Sequence, residues 1–376
     1  MSIRKFMFGL ALVAMAATPS SKLLADVFGQ TNLVSDVPGL APVTDPNLVN
    51  PWGVSFSGTS PFWISNQGSD TSTLYNGAGA KQALTVTVPP ASPQPAGPTG
   101  QVFAGITSNF LLNGTPSTFI FDTLSGTVDA WNGGGQATVV GGVSGSSYTG
   151  LALANNGSGN FLYAADFAPG GGIQVFDSTF ASTTLSGSFT DPRAVSGYEP
   201  YNIQTIGNSL YVEYAELGSN GRPVFGSGLG YVDVYDLNGN FINRLITGGQ
   251  LDVPWGITMA PSSFGSFSND LLVGNFGNGE INAYDPVSGA FMGTLTDASG
   301  NPIVNSGLWA LDVRSNGGSG SDPNAVYFTA GINGQTHGLF GKIDVAPEPS
   351  TWSLAAAGFL SLGALGLRRR SSKKRA

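Results

Sequence analysis

The sequence predicts an all-β fold, a six-bladed β-propeller. A strand-like string ending in an aromatic residue and then Asp or Asn recurs five times, with a degenerate sixth ending in Ile343-Asp344, at a mean period of about 54 residues, which is blade-sized. Glycine supplies 55 of the 376 residues and aromatics 11%, whereas charged residues supply only 10%. That balance suits many tight turns and strands covered on both faces. An apolar fraction of 41% excludes a disordered chain, and the absence of cysteine excludes a disulfide scaffold and thiolate metal sites.

Each repeat carries the same strands in order. The innermost opens at Pro51-Trp52-Gly53, Pro98-Thr99-Gly100, Tyr148-Thr149-Gly150, Pro200-Tyr201-Asn202, Pro254-Trp255-Gly256 and Leu308-Trp309-Ala310. Proline lacks an N–H and is tolerated at a strand start, and glycine there lets neighbouring blades converge near the axis. The second strand is a short apolar run: Phe62-Trp63-Ile64, Phe119-Ile120-Phe121, Phe161-Leu162-Tyr163, Leu210-Tyr211-Val212, Leu271-Leu272-Val273 and Val326-Tyr327-Phe328. The third is the recurrent string, whose terminal Asp or Asn falls at 76, 132, 177, 236, 285 and 344. Several repeats add a fourth, as at Phe241-Ile242-Asn243-Arg244-Leu245-Ile246. Ser125-Gly126, Asn238-Gly239 and Asn278-Gly279 mark hairpin turns, and so does Gly170-Gly171-Gly172. The sixth repeat stops at Asp344-Val345 without a fourth strand. The segment Phe28 to Val34 is therefore expected to supply it and close the ring.

Both ends read as targeting segments around a propeller spanning 26–346. Residues 1–25 have a basic start, Arg4 and Lys5, an apolar run from Phe6 to Ala17, and Ala25 before Asp26, the layout of a signal peptide. In 347–376, Pro347-Glu348-Pro349 precedes the apolar stretch Trp352 to Leu367 and the basic residues Arg368, Arg369 and Arg370. That is the layout of a C-terminal membrane anchor with its basic end on the cytoplasmic side. From Val27 to Ala346, six basic residues stand against 21 acidic ones, a net −15 where the whole chain carries −8. A body this acidic is repelled by phosphate backbones, which excludes nucleic acid as a partner.

The tail is similar to the PEP-CTERM sorting signal of Gram-negative bacteria: a Pro-Glu-Pro motif, a short transmembrane segment and an arginine cluster. The body resembles an uncharacterised family of exported bacterial propellers that carry such tails. The residues behind this include Asp45-Pro46-Asn47-Leu48-Val49-Asn50-Pro51-Trp52-Gly53, Leu272-Val273-Gly274-Asn275-Phe276-Gly277 and His337-Gly338-Leu339-Phe340-Gly341. The resemblance implies recognition by an exosortase-type sorting enzyme and removal of the tail. It also implies export across the inner membrane to the cell surface or extracellular matrix, in association with exopolysaccharide. No activity comes with it, since that family's function is unknown.

Propellers bind ligands where inner strands converge at the channel mouth. Just past the second strand stand Asn66, Asp122, Asp166, Tyr214, Asn275 and Ala330. Four of these are Asn or Asp. They are either an oxygen-rich ring suited to calcium or sugar hydroxyls, or caps of β-turns. His337 is the only imidazole, the side-chain type that titrates near neutrality, and it is either a proton-transfer group or a structural loop residue. Glu199, Glu213 and Glu216 are weighed as a carboxylate pair for glycoside cleavage against scattered surface acids. The inner-strand aromatics Trp52, Tyr201, Trp255 and Trp309 either stack on sugar rings or pack blade against blade. No Gly-x-Ser-x-Gly elbow stands between a strand and a helix, and no phosphate-binding glycine loop is evident. The leading expectation is a non-catalytic propeller that binds polysaccharide or a protein partner. The rival is a metal-dependent lactonase- or hydrolase-like enzyme using rim carboxylates. A purely structural spacer, with its channel filled by apolar side chains, is the third.

Overall fold

The computed structural model describes residues 26–89, 97–105 and 107–346. The targeting segments expected in 1–25 and 347–376 lie outside the described residues, including Pro347, Glu348, Pro349, Arg368, Arg369 and Arg370. No helix among the described residues is long and apolar enough to cross a membrane.

Six antiparallel sheets stand around one axis, five of four strands and one of five. The innermost strands are Pro51–Ser55, Pro98–Phe103, Tyr148–Asn155, Tyr198–Ile206, Pro254–Met259 and Leu308–Asp312, which number blades 1 to 6. In each blade the second and third strands follow outward in chain order. The expected hairpin turns form where glycine permits a left-handed backbone, Gly126 at φ +76° and Gly239 at φ +80°.

The ring closes as the sequence predicts. Strand Phe28–Ser35 pairs antiparallel with Leu339–Val345, from Phe28 opposite Val345 to Ser35 opposite Leu339, and becomes the outer strand of blade 6. The two-residue strand Val43–Thr44 then adds in parallel as a fifth. Without this segment Leu339–Val345 would be an unpaired edge, the exposure that sheet proteins avoid.

Alternation along the strands explains the packing. One face of each blade meets the preceding blade and the other meets the next, so the apolar side chains divide into six seams. Trp63, Leu74 and Phe119 fill the seam between blades 1 and 2, and Ile120, Leu151 and Phe176 that between 2 and 3. Phe62, Tyr75, Tyr327 and Phe340 fill the closing seam between 6 and 1. Each fully buried Phe or Leu contributes about 2 kcal/mol, and each seam is filled from two adjacent blades, so no blade buries its apolar surface alone. A seventh cluster lies on the axis and contains Trp52, Tyr201, Trp255 and Trp309.

Glycine is required where inner strands approach the axis. A Cβ on Gly100 would lie 2.2 Å from the Leu151 nitrogen, and one on Gly256 2.3 Å from the Trp309 carbonyl oxygen.

Candidate functional site

The innermost strands share a device that the period-2 pattern does not reveal. Ladder register shifts just after the strand begins: between Pro51 and Val54, Tyr148 and Gly150, Pro200 and Asn202, Pro254 and Gly256, and Leu308 and Leu311. In blade 2 the shift falls between Phe121 and Thr123, opposite Gln101 and Pro98. Such a bulge re-aims the extra residue. The bulge positions hold Trp52, Thr99, Thr149, Tyr201, Trp255 and Trp309.

The four aromatics meet one another and close the channel. Trp52 stacks on Trp309 with ring centroids 3.5 Å apart, and Trp309 stacks on Phe276 at 4.1 Å. Trp255 meets Trp52 edge-on at 5.9 Å, and Tyr201 packs on Phe167 at 4.5 Å. Of the two alternatives for these aromatics, mutual packing accounts for Trp255 and Trp309. Trp52 and Tyr201 also line a pocket.

Below the plug, Gln101, Asn202, Gln204 and Asp312 line a cavity of about 30 Å³, room for a water or two. Above it, where the inner strands begin, lies a pocket of about 480 Å³, within the range of roughly 300–1,000 Å³ typical of ligand sites. Trp52, Phe167, Tyr201 and Phe276 form its aromatic lining, and Ser147 and Thr149 come from blade 3. Asn50 and Gln67 come from blade 1 and Leu124 from blade 2, and two long loops between second and third strands add further residues. The loop of blade 4 brings Asn220, Arg222 and Phe225, and that of blade 6 brings Gly334 and Gln335.

Asn50 organises one side of the pocket. Its Oδ1 accepts the Trp309 indole N–H at 3.0 Å. Its Nδ2 donates to Gln67 Oε1 at 2.8 Å and to Gln335 Oε1 at 3.3 Å. Asn50, Asn333 and Gln335 all adopt positive φ, +46°, +53° and +69°. Non-glycine residues in that region store strain that clusters at functional sites. The Trp52 Nε1–H is buried and has no hydrogen-bond partner. The Tyr201 hydroxyl is pushed well above its ordinary pKa by burial, which the nearby Arg222 charge opposes.

The residues singled out from sequence fall elsewhere. None of Asn66, Asp122, Asp166, Tyr214, Asn275 and His337 is in the pocket lining. Asn66 Nδ2 donates to the Thr73 hydroxyl at 2.9 Å within blade 1. Asp166 Oδ1 accepts the Ser147 and Ala168 N–H groups at 2.8 and 3.1 Å, and Asn275 Nδ2 donates to the Gln250 carbonyl at 2.7 Å. These bonds hold the turns and connections of single blades. Tyr214 stacks on Tyr231 at 4.4 Å, and its hydroxyl lies 3.0 Å from that of Tyr235. Asp122 is out of phase with the others. Thr123 stands opposite Pro98 as Asn66 stands opposite Pro51, so Thr123 is the equivalent residue. Asp122 instead accepts the Thr99 hydroxyl at 2.8 Å and the Gly100 N–H. Burial pushes its carboxyl up to about 7 against those bonds. Among the described residues no three His, Asp or Glu side chains are grouped to hold one metal ion. His337 Nδ1 lies 2.7 Å from Asp36 Oδ2, which ties the blade 6 loop to the closing segment.

The three glutamates do not form a pair. Glu199 accepts the Gly170 N–H at 2.7 Å, and Glu216 lies at the end of its strand opposite Tyr198. Glu213 is fully buried; burial pushes its carboxyl up to about 8, opposed by the bond from Asn202.

The sequence did hold a signal for the true lining, in spacing. Second and third strands are separated by three to five residues in blades 1, 2, 3 and 5, but by 14 in blade 4 and eight in blade 6. Those two insertions carry Asn220, Arg222, Phe225, Gly334 and Gln335.

No family model matches the chain. The solved propellers it resembles include the GH93 α-L-arabinofuranosidase of Fusarium graminearum, with a TM-score of 0.53 at 12% identity over 84% of this chain and 97% of that one. The soluble aldose sugar dehydrogenase of Escherichia coli gives 0.51 at 11% over 85% and 100%. At that identity they share the fold. Sequence relatives come from Acanthamoeba polyphaga mimivirus. Uncharacterized protein R648 is 36% identical over 324 residues, 83% of this chain and 78% of that protein. Uncharacterized protein L690 is 31% identical over 334 residues, 83% and 84%.

These relatives correct the expectation of a bacterial PEP-CTERM family. A three-residue motif, a short apolar run and a basic end are compositional features that many chains can share. A 36% identity sustained over 324 residues is a far larger body of shared sequence, and it leads to viral proteins. The chain belongs to the family of the mimivirus uncharacterized proteins R648 and L690.

Proposed function

We propose that this propeller is a carbohydrate-binding protein whose site is the pocket above the aromatic plug. The observation that carries the reading is the pairing of Trp52, Phe167, Tyr201 and Phe276 with the carboxamides of Asn50, Gln67 and Gln335 around about 480 Å³. Aromatic faces stack on the C–H faces of a sugar ring, while amides and hydroxyls meet its hydroxyls. The lining residues are binding groups. None of them is Asp, Glu or His, and glycoside cleavage works through a carboxyl pair flanking the bond. The lactonase-like alternative needs rim carboxylates that converge, whereas Asp122 and Asp166 each accept hydrogen bonds from the start of their own blade's inner strand.

Titration of the full chain with glucose, galactose, xylose and their disaccharides, read by calorimetry and tryptophan fluorescence, tests this. Saturable binding that weakens in Phe225→Ala is expected, because Phe225 is 58% exposed at the pocket and its loss leaves the core intact. Absence of saturable binding to every sugar would overturn the reading.

A further inference from the structure

The pocket's hydrogen-bonding groups are unequally committed. The carboxamide oxygens are already used: Asn50 Oδ1 by Trp309, Gln67 Oε1 and Gln335 Oε1 by Asn50, and Asn220 Oδ1 by the Arg222 backbone N–H at 3.0 Å. The indole and backbone donors fix which amide atom is oxygen, so this is not a matter of flipping. Donors remain. The Trp52 Nε1–H is buried, at 4% residue exposure, and unpartnered. Gln335 Nε2 and Asn220 Nδ2 make no hydrogen bond among the described residues, and the Arg222 guanidinium makes no ion pair there. Arg222 is also the sole charged residue of the lining, in a body of net −15.

A donor-rich, acid-free pocket with one cation suits a ligand rich in acceptors and negatively charged. A neutral sugar hydroxyl both donates and accepts, and beyond the hydroxyls of Ser147, Thr149 and Tyr201 the uncommitted groups here are donors. A carboxylate only accepts, offers two oxygens, and matches the planar fork of an arginine. We propose that the pocket selects a saccharide bearing a carboxylate, a uronate-type sugar, over its neutral counterpart. This rests on the carbohydrate reading above and names the sugar class. Arg222 sits on the projecting hairpin of blade 4, where the Gly218 N–H donates to the Arg222 carbonyl and the Gly218 carbonyl accepts the Gly221 N–H. The charge therefore reaches the pocket from its rim while the aromatic faces hold the ring beneath.

Calorimetric titration of the full chain with sodium D-glucuronate, D-glucose and sodium acetate, at neutral pH and physiological salt, tests the proposal. Glucuronate is expected to bind about tenfold more tightly than glucose, the worth of one charge-assisted pair, and acetate far more weakly than either sugar acid or sugar. Arg222→Gln should bring the ratio of glucuronate to glucose affinity close to one. Trp52→Phe keeps a ring but removes the donor, and should weaken glucuronate several-fold. Thermal midpoints confirm that each variant is folded; Arg222 is exposed, so its variant serves if Trp52→Phe does not fold. Equal affinities for glucuronate and glucose, a ratio unchanged in Arg222→Gln, or acetate binding as tightly as glucuronate overturns the charge selection and leaves carbohydrate binding standing. Failure of both sugars to bind overturns both.

Discussion

The Asn50 carboxamide oxygen accepts the Trp309 indole N–H at 3.0 Å across a sequence separation of 259 residues. The bond joins the segment entering blade 1 to the inner strand of blade 6, so it spans the closing seam and borders the pocket at once. Asn50 holds φ +46° to make it.

Replacing Asn50 separates these contributions. Asn50→Ala loses the bonds to Trp309, Gln67 and Gln335 and places a Cβ residue that cannot bond locally in the left-handed region. A loss of about 2–4 kcal/mol is expected. Asn50→Gly loses the same bonds but not the backbone freedom, and should recover about 1 kcal/mol of that. Denaturant melts of the two variants measure the difference; equal stabilities would show that the backbone at this position is unstrained.

Stability should fall as pH rises through neutrality. Glu213 has its carboxyl pushed from 4.5 to about 8 by burial, and burial likewise raises Asp122 and Asp129 to about 7. A carboxyl with a raised native pKa holds its proton in the folded chain after the unfolded chain has lost it. Between about 4.5 and about 8 the folded state binds the extra proton, so the unfolding free energy declines with rising pH over that window. Glu213→Gln keeps the shape and removes one titration. Thermal melts from pH 5 to pH 8, roughly spanning that window, should show a flatter profile for the variant and greater stability at the alkaline end. A variant profile parallel to the parent's would count against a buried neutral Glu213.

Ring closure predicts a sharp effect at the N-terminal strand. Val34 is fully buried in the closing seam. Val34→Asp places an unpaired carboxylate there, and a loss of about 3–5 kcal/mol is expected. For a domain of this size that amounts to a fall in Tm of about 10 °C or more. Exposure of the edge Leu339–Val345 should also promote association, read by light scattering. An unchanged melt with no rise in light scattering would mean that the ring holds without its last strand.

Arg244 of blade 4 joins two carboxylates, Asp233 on the neighbouring strand and Asp191 in the connection from blade 3. Its Nε lies 3.1 Å from Asp233 and its Nη2 meets Asp191, all three side chains being nearly buried. Its guanidinium also stacks over Tyr231 at 3.7 Å. Arg244→Met strands two buried acids and should cost about 3–5 kcal/mol, whereas adding Asp191→Asn and Asp233→Asn should recover much of the loss. Urea melts of the single and triple variants compare them.

The architecture was legible because its cause is periodic. Seams between blades demand the same apolar alternation in every repeat, so Phe62, Phe119 and Leu271 announce their strands. The missing fourth strand at Val345 likewise indicated where Phe28 must go. The pocket was not legible because its causes are the departures from the period. A bulge adds one residue to each inner strand, which is invisible to alternation, and only the strand pairing shows that Thr123 and not Asp122 corresponds to Asn66. The lining of Arg222, Phe225 and Gln335 sits on two insertions that repeat nowhere. Asn and Asp at strand ends looked like a ligand ring for the same reason that they cap turns: short side chains with exposed oxygens serve both. Only the direction of each side chain separates the two uses, and direction comes from the register.

The stacked rings of Trp52 and Trp309 have a consequence for traffic. They sever the axis, so the propeller is no conduit: what enters at one end leaves by the same end. The two chambers differ in character. One has Arg222 at its rim, and the other, of about 260 Å³, is lined by Phe56, Gln204 and Asp312. A solute at one end meets the arginine and a solute at the other meets a carboxyl that burial raises to about 7, and the indole partition keeps those encounters independent.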